Sequence, residues 1–156
     1  MTAIKHILLA SDGSEGSREA ATLAGEFART NKASVSVVFV NDEDALTLPA
    51  LIEAALPDTK SYTPFPKKDM RKVIEQHTET ELLPGTLAAI GDTDESVKTV
   101  QLWGQAAKEI CKFAKKNKVD LIVIGRRGNS QFKQLFLGSV SSQVVAHAPC
   151  PVLVSK

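Results

Sequence analysis

Late in the chain, glycines and hydroxyl residues recur at the intervals of a ligand-binding loop. The run Asp120-Leu121-Ile122-Val123-Ile124 breaks at Gly125, a second glycine stands at Gly128, nine residues intervene, and Gly138-Ser139-Val140-Ser141-Ser142 opens a helical pattern. A strand, a glycine loop and a helix start, in that order, suit an anion. Glycine takes positive φ and lets backbone N–H groups approach a ligand with no Cβ in the way, which is the expectation for Gly125 and Gly128. Gly138 and Ser139 fall where the first amides of a helix lack partners and where the dipole favours a phosphate. The hydroxyls of Ser139 and Ser141 add donors. The same residues also fit a plain βα connection, in which the glycines make a tight turn and Ser139 is only an N-cap. Spacing alone leaves both readings open.

The elements that must position this loop follow from hydrophobic period. His6 to Ala10 is a short apolar run, as in a strand covered on both faces. Ser11-Asp12-Gly13-Ser14 reads as a turn. Ala20, Leu23, Ala24, Phe27 and Ala28 then repeat at helical spacing, with Ser14 as N-cap, Glu15 in the first turn and Lys32 near the end. Ser34 to Val40 is a β-branched second strand. From Asn41 to Pro66 four prolines punctuate a long connection, a lid, partner surface or variable loop in which Leu46, Leu51, Ile52 and Ala55 could form a short helix. Asp42, Glu43 and Asp44 there fit a solvated strand exit better than a cation site.

Met70, Val73, Ile74 and His77 mark an amphipathic helix from Lys67 to Leu83, ended by Pro84-Gly85, with a further helical turn from Thr86 and a loop at Gly91-Asp92-Thr93-Asp94. Val97 to Leu102 is a third strand. Ala106, Ala107, Ile110, Cys111, Phe113 and Ala114 form the buried stripe of the next helix, and Val119 to Ile124 is a fourth strand, apolar enough to lie inside the sheet. Val140, Val144, Val145 and Ala148 give the last helix before Pro149, and Val152-Leu153-Val154 is a short fifth strand. Strands alternating with helices predict a doubly wound α/β fold: five parallel strands in the order 3-2-1-4-5, helices on both faces, right-handed crossovers. The switch point of that order lies between strands 1 and 4, so the turn at Asp12 and the loop at Gly125 face each other.

At 156 residues the chain is sized for one domain over 1–156, with 43% hydrophobic and 24% charged residues, as in ordinary globular proteins. A net charge of +1 gives no electrostatic footprint for nucleic acid or an anionic membrane. No apolar run approaches a membrane span and Met1 to Ala10 lacks a signal-peptide layout, which together predict a cytoplasmic protein. Cys111 and Cys150 have no metal-ligand spacing and read as reduced, buried thiols. His6, His77 and His147 fall outside the predicted rim. There is no Gly-Lys-Ser/Thr phosphate loop and no Gly-x-Ser-x-Gly nucleophile turn, and no residue is assigned as catalytic or as a metal ligand.

The chain resembles the universal stress proteins. The likeness rests on Ile7-Leu8-Leu9-Ala10-Ser11-Asp12-Gly13-Ser14-Glu15 at one end, and on Gly138-Ser139-Val140-Ser141 with His147-Ala148-Pro149-Cys150-Pro151-Val152-Leu153-Val154 at the other. Gly125, Gly128, Gly138 and Ser139 match the Gly-x-x-Gly-(nine residues)-Gly-Ser/Thr pattern of that family's ATP-binding branch. The resemblance implies ATP as ligand, with magnesium on its phosphates. It implies that Asp12 lies near ribose and adenine, with Ala10 and Ser11 beside it, and that the backbone around Val40 reads the adenine edge. Ile124, Gly125, Gly128, Gly138, Ser139, Val140 and Ser141 would line ribose and phosphates. Arg126 stands where the family more usually has a smaller residue, and either contacts a phosphate or points to solvent. The segment from Pro84 to Glu95 is longer than the family's usual link.

These features predict a nucleotide-binding regulatory module that signals through a dimer to an unknown protein partner. The alternatives are a slow ATPase or nucleotide-dependent transferase, and an interaction protein with no nucleotide, which the intact glycine pattern disfavours. The fifth strand is an apolar edge, so Val152, Leu153 and Val154 are expected to pair with a second copy.

Overall fold

A computed structural model of the chain describes residues 3–42, 67–93, 96–128 and 137–156. Along the chain come β1 (His6–Ala10), α1 (Glu15–Asn31), β2 (Ser34–Asn41), α2 (Lys67–His77), a π-helical turn (Thr78–Leu82) and α3 (Leu83–Ile90). They are followed by β3 (Val97–Trp103), α4 (Ala106–Lys116), β4 (Leu121–Gly125), α5 (Ser139–His147) and β5 (Val152–Ser155). The five strands pair in parallel in the expected order, β3-β2-β1-β4-β5. The short helix read over Leu46 to Ala55, and Glu43 and Asp44 of the acidic group, lie outside the described residues.

Side chains alternate across the sheet with a period of two, which divides the core into layers. Ile7 and Leu9 of β1, with Val35, Val37 and Phe39 of β2, face α1 and α3. Leu8 and Ala10, with Val38, Ile122 and Ile124, face α4 and α5. Ile7, Leu8 and Leu9 are fully buried, and removing a side chain of that size from water contributes about 1.5–3 kcal/mol.

Local rules account for most element ends. Ser14 caps α1, its hydroxyl accepting the Ser17 N–H at 3.3 Å, and Lys32 closes the helix in the left-handed region at φ 52°. The carboxylate of Asp120 holds the start of β1, accepting the N–H groups of Lys5 and His6 at 2.9 Å each.

Two expectations fail. Pro84-Gly85 does not end a helix: the chain passes from α2 through the π turn, where the Leu83 N–H reaches back five residues to the Thr78 carbonyl, and resumes as α3 with Pro84 in its first turn. Proline is excluded from a helix interior because it lacks an N–H and crowds the carbonyl four residues back. A widened turn just before it restarts the helix and places the proline where neither defect matters. The end comes at Gly91, with φ 72°. In α5, Val144 is fully buried, but Val140 and Val145 are 36% and 48% exposed and form no inward stripe. The inward face is Ser141 and Val144, three residues apart.

Candidate functional site

At the carboxyl ends of β1 and β4 the chain departs to opposite faces, into α1 on one side and toward α5 on the other. The gap between these exits is the switch point, where a doubly wound sheet holds its ligand. A cleft of about 200 Å³ opens there. One side is apolar, made by Val38 and Val40 of β2 with Ala106 and Ile110 of α4. The other carries the turn after β1, the loop after β4 and the start of α5.

Of the expected site residues, Ala10, Ser11, Asp12, Val40, Ile124, Gly125, Gly128, Gly138, Ser139, Val140 and Ser141 all lie on the wall of this one cleft. Arg126 does not. Its backbone closes the loop instead: the N–H donates to the Ser155 carbonyl at 3.0 Å, and its carbonyl accepts the Gly138 N–H at 2.8 Å and the Ser141 hydroxyl at 2.9 Å. Arg127, next in the chain, is on the wall. Among the described residues Ser17, Val38, Ala106, Ile110 and Arg127 also line it; Arg127 is one of the residues that could supply charge, and the other four had no separate signal. Ala106 and Ile110 are spaced as core residues of a helix, and their place at a ligand wall depends on how α4 crosses the sheet.

Each polar group is set by local structure. Gly138 is the N-cap of α5, with no side-chain cap, and its carbonyl accepts the Ser142 N–H at 2.9 Å. Ser139 is therefore not the cap but the first helical residue. The amides of Ser139, Val140 and Ser141 are the donors that a helix start leaves without intrahelical partners. The Ser141 hydroxyl is turned back to Arg126 and Gly138, so it ties the loop rather than adding a donor to the cleft.

Glycine is required at 125 and 128, but not for the expected reason. Among the described residues the glycines with positive φ are Gly13, Gly91 and Gly104. A Cβ on Gly125 would stand 2.8 Å from the backbone of Gly16, and one on Gly128 would overlap the Asp12 carboxylate at Oδ2. Close approach of the loop to the α1 turn excludes a side chain there. The Asp12 carboxylate is held in turn by the Ser14 N–H, which donates to Oδ1 at 3.0 Å.

The edge of β2 supplies a further pair of groups. Ser34 donates its N–H to Lys5 and Val38 accepts from Ser11, so even-numbered residues of β2 turn their backbone groups toward β1. The alternation of a parallel ladder turns Val40 the same way, and the β1–β2 pairing stops at Val38. Val40 thus presents an N–H and a C=O at the cleft, beyond the last pairing with β1.

The remaining chemistry-bearing residues lie elsewhere. Cys111 and Cys150 are free and half-buried, where full burial was expected. Burial raises both thiols above their ordinary range, and for Cys150 the Asp120 charge adds to this. His6 bonds Ser36 and Asn117 at the opposite end of β1, while His77 and His147 are exposed on helices. Among the described residues no group of three or more His, Cys, Asp or Glu could hold a metal, and no helix is long and apolar enough to cross a membrane.

Known proteins share this fold. Residues 3–156 match the universal stress protein family model. The chain is 32% identical to universal stress protein MJ0531 of Methanocaldococcus jannaschii, over 97% of this chain and 82% of that one. It is also 32% identical to universal stress protein YxiE of Bacillus subtilis, over 95% and 96%. Among solved structures, UspA from Lactobacillus plantarum aligns over the whole of both chains with a TM-score of 0.66 at 27% identity. A universal stress protein from Archaeoglobus fulgidus, solved in complex with dAMP, aligns with a TM-score of 0.63 at 20% identity, over 99% of this chain and 100% of that one. Family model, curated relatives and fold agree, and the chain belongs to the universal stress protein family.

Proposed function

We propose that this protein is an ATP-binding regulatory module that works through a dimer rather than by catalysis. The observation that carries the reading is the convergence, in one cleft, of a helix start, a carboxylate and an unpaired strand edge beside an apolar wall. Each matches a part of the nucleotide. The amides of Ser139, Val140 and Ser141 suit phosphate oxygens. Asp12 accepts from ribose hydroxyls. Adenine offers an amino donor next to a ring acceptor, the complement of the Val40 C=O and N–H, whereas guanine offers those roles reversed. Val38, Ala106 and Ile110 give the base an apolar surface. Magnesium would travel on the phosphates, with no protein ligand assigned. A distantly similar protein of the same fold holding dAMP is consistent with this reading.

Calorimetry of nucleotide-free protein with ATP and magnesium is expected to give micromolar or tighter binding. No heat at millimolar ATP would sink the proposal. Asp12 is the only carboxylate among the described lining residues, and its Oδ1 is already engaged by Ser14. Hydrolysis is therefore expected to be slow, and turnover near the roughly 10 per second of a median enzyme would overturn the binding-module reading.

For the dimer, β5 is an edge of the sheet, and Val152, Leu153 and Val154 on it are half-buried. The Ile122 N–H donates to the Pro151 carbonyl, and the parallel register then turns the backbone groups of Leu153 toward β4 and those of Val152 and Val154 outward. Pairing with a second copy would use the outward pair. Val154→Pro removes an outward donor and spares the ladder to β4, so sedimentation is expected to show a wild-type dimer and a monomeric variant. A monomeric wild type, or a variant that stays dimeric, would count against this interface.

A further inference from the structure

Behind the turn that carries Asp12 lies a closed chain of hydroxyls that the nucleotide reading does not use. Ser11 is 7% exposed, Ser17 3% and Thr86, from α3, 0%. The Ser11 Oγ stands 3.2 Å from both the Ser17 Oγ and the Thr86 Oγ1, and it accepts the Gly13 N–H at 3.3 Å. Each end of the chain has a carbonyl to finish on: Ser17 donates to Ser14 at 2.9 Å and Thr86 to Leu82 at 3.2 Å. Each hydroxyl has one proton, and Ser11 gives its own to Ser17. Thr86 is therefore the donor to Ser11, its proton shared with the Leu82 carbonyl at the same 3.2 Å, and the chain runs from Thr86 through Ser11 and Ser17 to the Ser14 carbonyl. Every hydroxyl is satisfied, which a buried polar cluster requires.

Thr86 reaches this position because of the π turn. The turn ends at Leu82, and α3 starts directly against the back of the site: a Cβ on Gly13 would meet the Leu82 side chain at 2.7 Å. Gly13 itself has φ +77°, which glycine takes without strain and a side chain would not, so the turn holds a residue free to move unless its amide is tied. Ser11 and Ser17 line the cleft, whereas Thr86 does not. The hydroxyl of α3 is thus one hydrogen bond removed from the ligand wall, and Ser11 is next to Asp12 in the chain.

We infer that Thr86 is a positioning residue for the nucleotide: α3, set in place by the π turn, holds the Ser11–Gly13 turn through the Thr86 hydroxyl and so fixes the Asp12 carboxylate for the ribose. The inference rests on the ATP reading, and its test separates the two. Thr86→Val keeps the volume and removes the hydroxyl; Thr86→Ser keeps the hydroxyl and removes a methyl. Thr86→Val is expected to weaken ATP binding about tenfold, as for one lost buried hydrogen bond, and Thr86→Ser to bind within about threefold of wild type. If the effect passes through Asp12 and the ribose, wild type and Thr86→Val bind 2′,3′-dideoxy-ATP equally. A Thr86→Val variant that binds ATP like wild type, or that loses both nucleotides alike, overturns the inference. So does a Thr86→Ser variant as impaired as Thr86→Val.

Amide exchange of the protein without nucleotide gives the independent measure. Gly13 and Ser14, whose N–H groups bond Ser11 and Asp12, are expected to exchange faster in Thr86→Val while the core of β1 is unchanged. Unchanged exchange overturns the positioning role whatever ATP does. Faster exchange in a protein whose wild type binds no ATP supports the hold of Thr86 on the turn and overturns the nucleotide reading instead.

Discussion

Gly128→Val is expected to weaken ATP binding about a hundredfold while leaving the sheet intact. Any Cβ at this position overlaps Oδ2 of Asp12. The carboxylate cannot simply swing aside, because Oδ1 is tied to the Ser14 N–H and that residue caps α1. Either the loop after β4 backs away from the α1 turn, or Asp12 leaves its place. Both outcomes remove the acceptor proposed for the ribose hydroxyls. Two hydrogen bonds to a charged group, at about 1.5 kcal/mol each, amount to the hundredfold loss. Gly128 is exposed and outside both core clusters, so the circular dichroism and unfolding midpoint of the variant should stay near wild type. Unchanged affinity in a folded variant would show that Asp12 and this loop do not contact the ligand.

The second large effect is on stability. Gly25→Ala is expected to destabilise the protein by about 3 kcal/mol, the upper part of the usual range for overpacking a core. Gly25 is buried on α1 where α3 crosses it, and a Cβ there would overlap the Ile90 carbonyl oxygen. That carbonyl is also held by Arg29 at 2.9 Å, so the end of α3 cannot retreat without losing a charge-assisted bond. Helix propensity alone argues the other way, since alanine exceeds glycine by about 1 kcal/mol in a helix interior. Overlap and helix propensity act with opposite sign, so a thermal scan decides between them. For a chain of this size, 3 kcal/mol lowers the midpoint by roughly 6–12 °C. A midpoint at or above that of wild type would mean that α1 and α3 do not approach this closely.

Helix α3 joins both sets of expectations. It packs on α1 at Gly25 and supports the Asp12 turn through Thr86 and Leu82. The helical turn from Thr86 was legible beforehand, but neither its continuity with α2 nor these contacts were, because proline followed by glycine is a strong local stop signal and the π turn that overrides it has no signature of its own. The buried faces of β1, β2 and β4 were legible, since a sheet covered on both sides needs near-continuous apolar runs.

The amino-acid sequence was enough for the alternation of elements, the buried faces of the strands and the glycine loop, while the likeness to a known family added Ala10, Ser11, Val40, Ile124 and Val140 to the residues that gather at the switch point. Periodicity records which faces are buried, and glycine, serine and proline record where local backbone demands change. It also located the glycines of the loop, but not why they are glycine. Positive φ is a local property and was the natural expectation. The operative constraint is contact with Gly16 and Asp12, residues more than a hundred positions away in the chain. Only the folded chain puts Arg127 rather than Arg126 on the cleft, turns the Ser141 hydroxyl to the loop, carries Val40 past the end of the β1 pairing and stands Thr86 behind the site. Each depends on the distance and direction between elements far apart in sequence, which close packing fixes and hydrophobic pattern does not record.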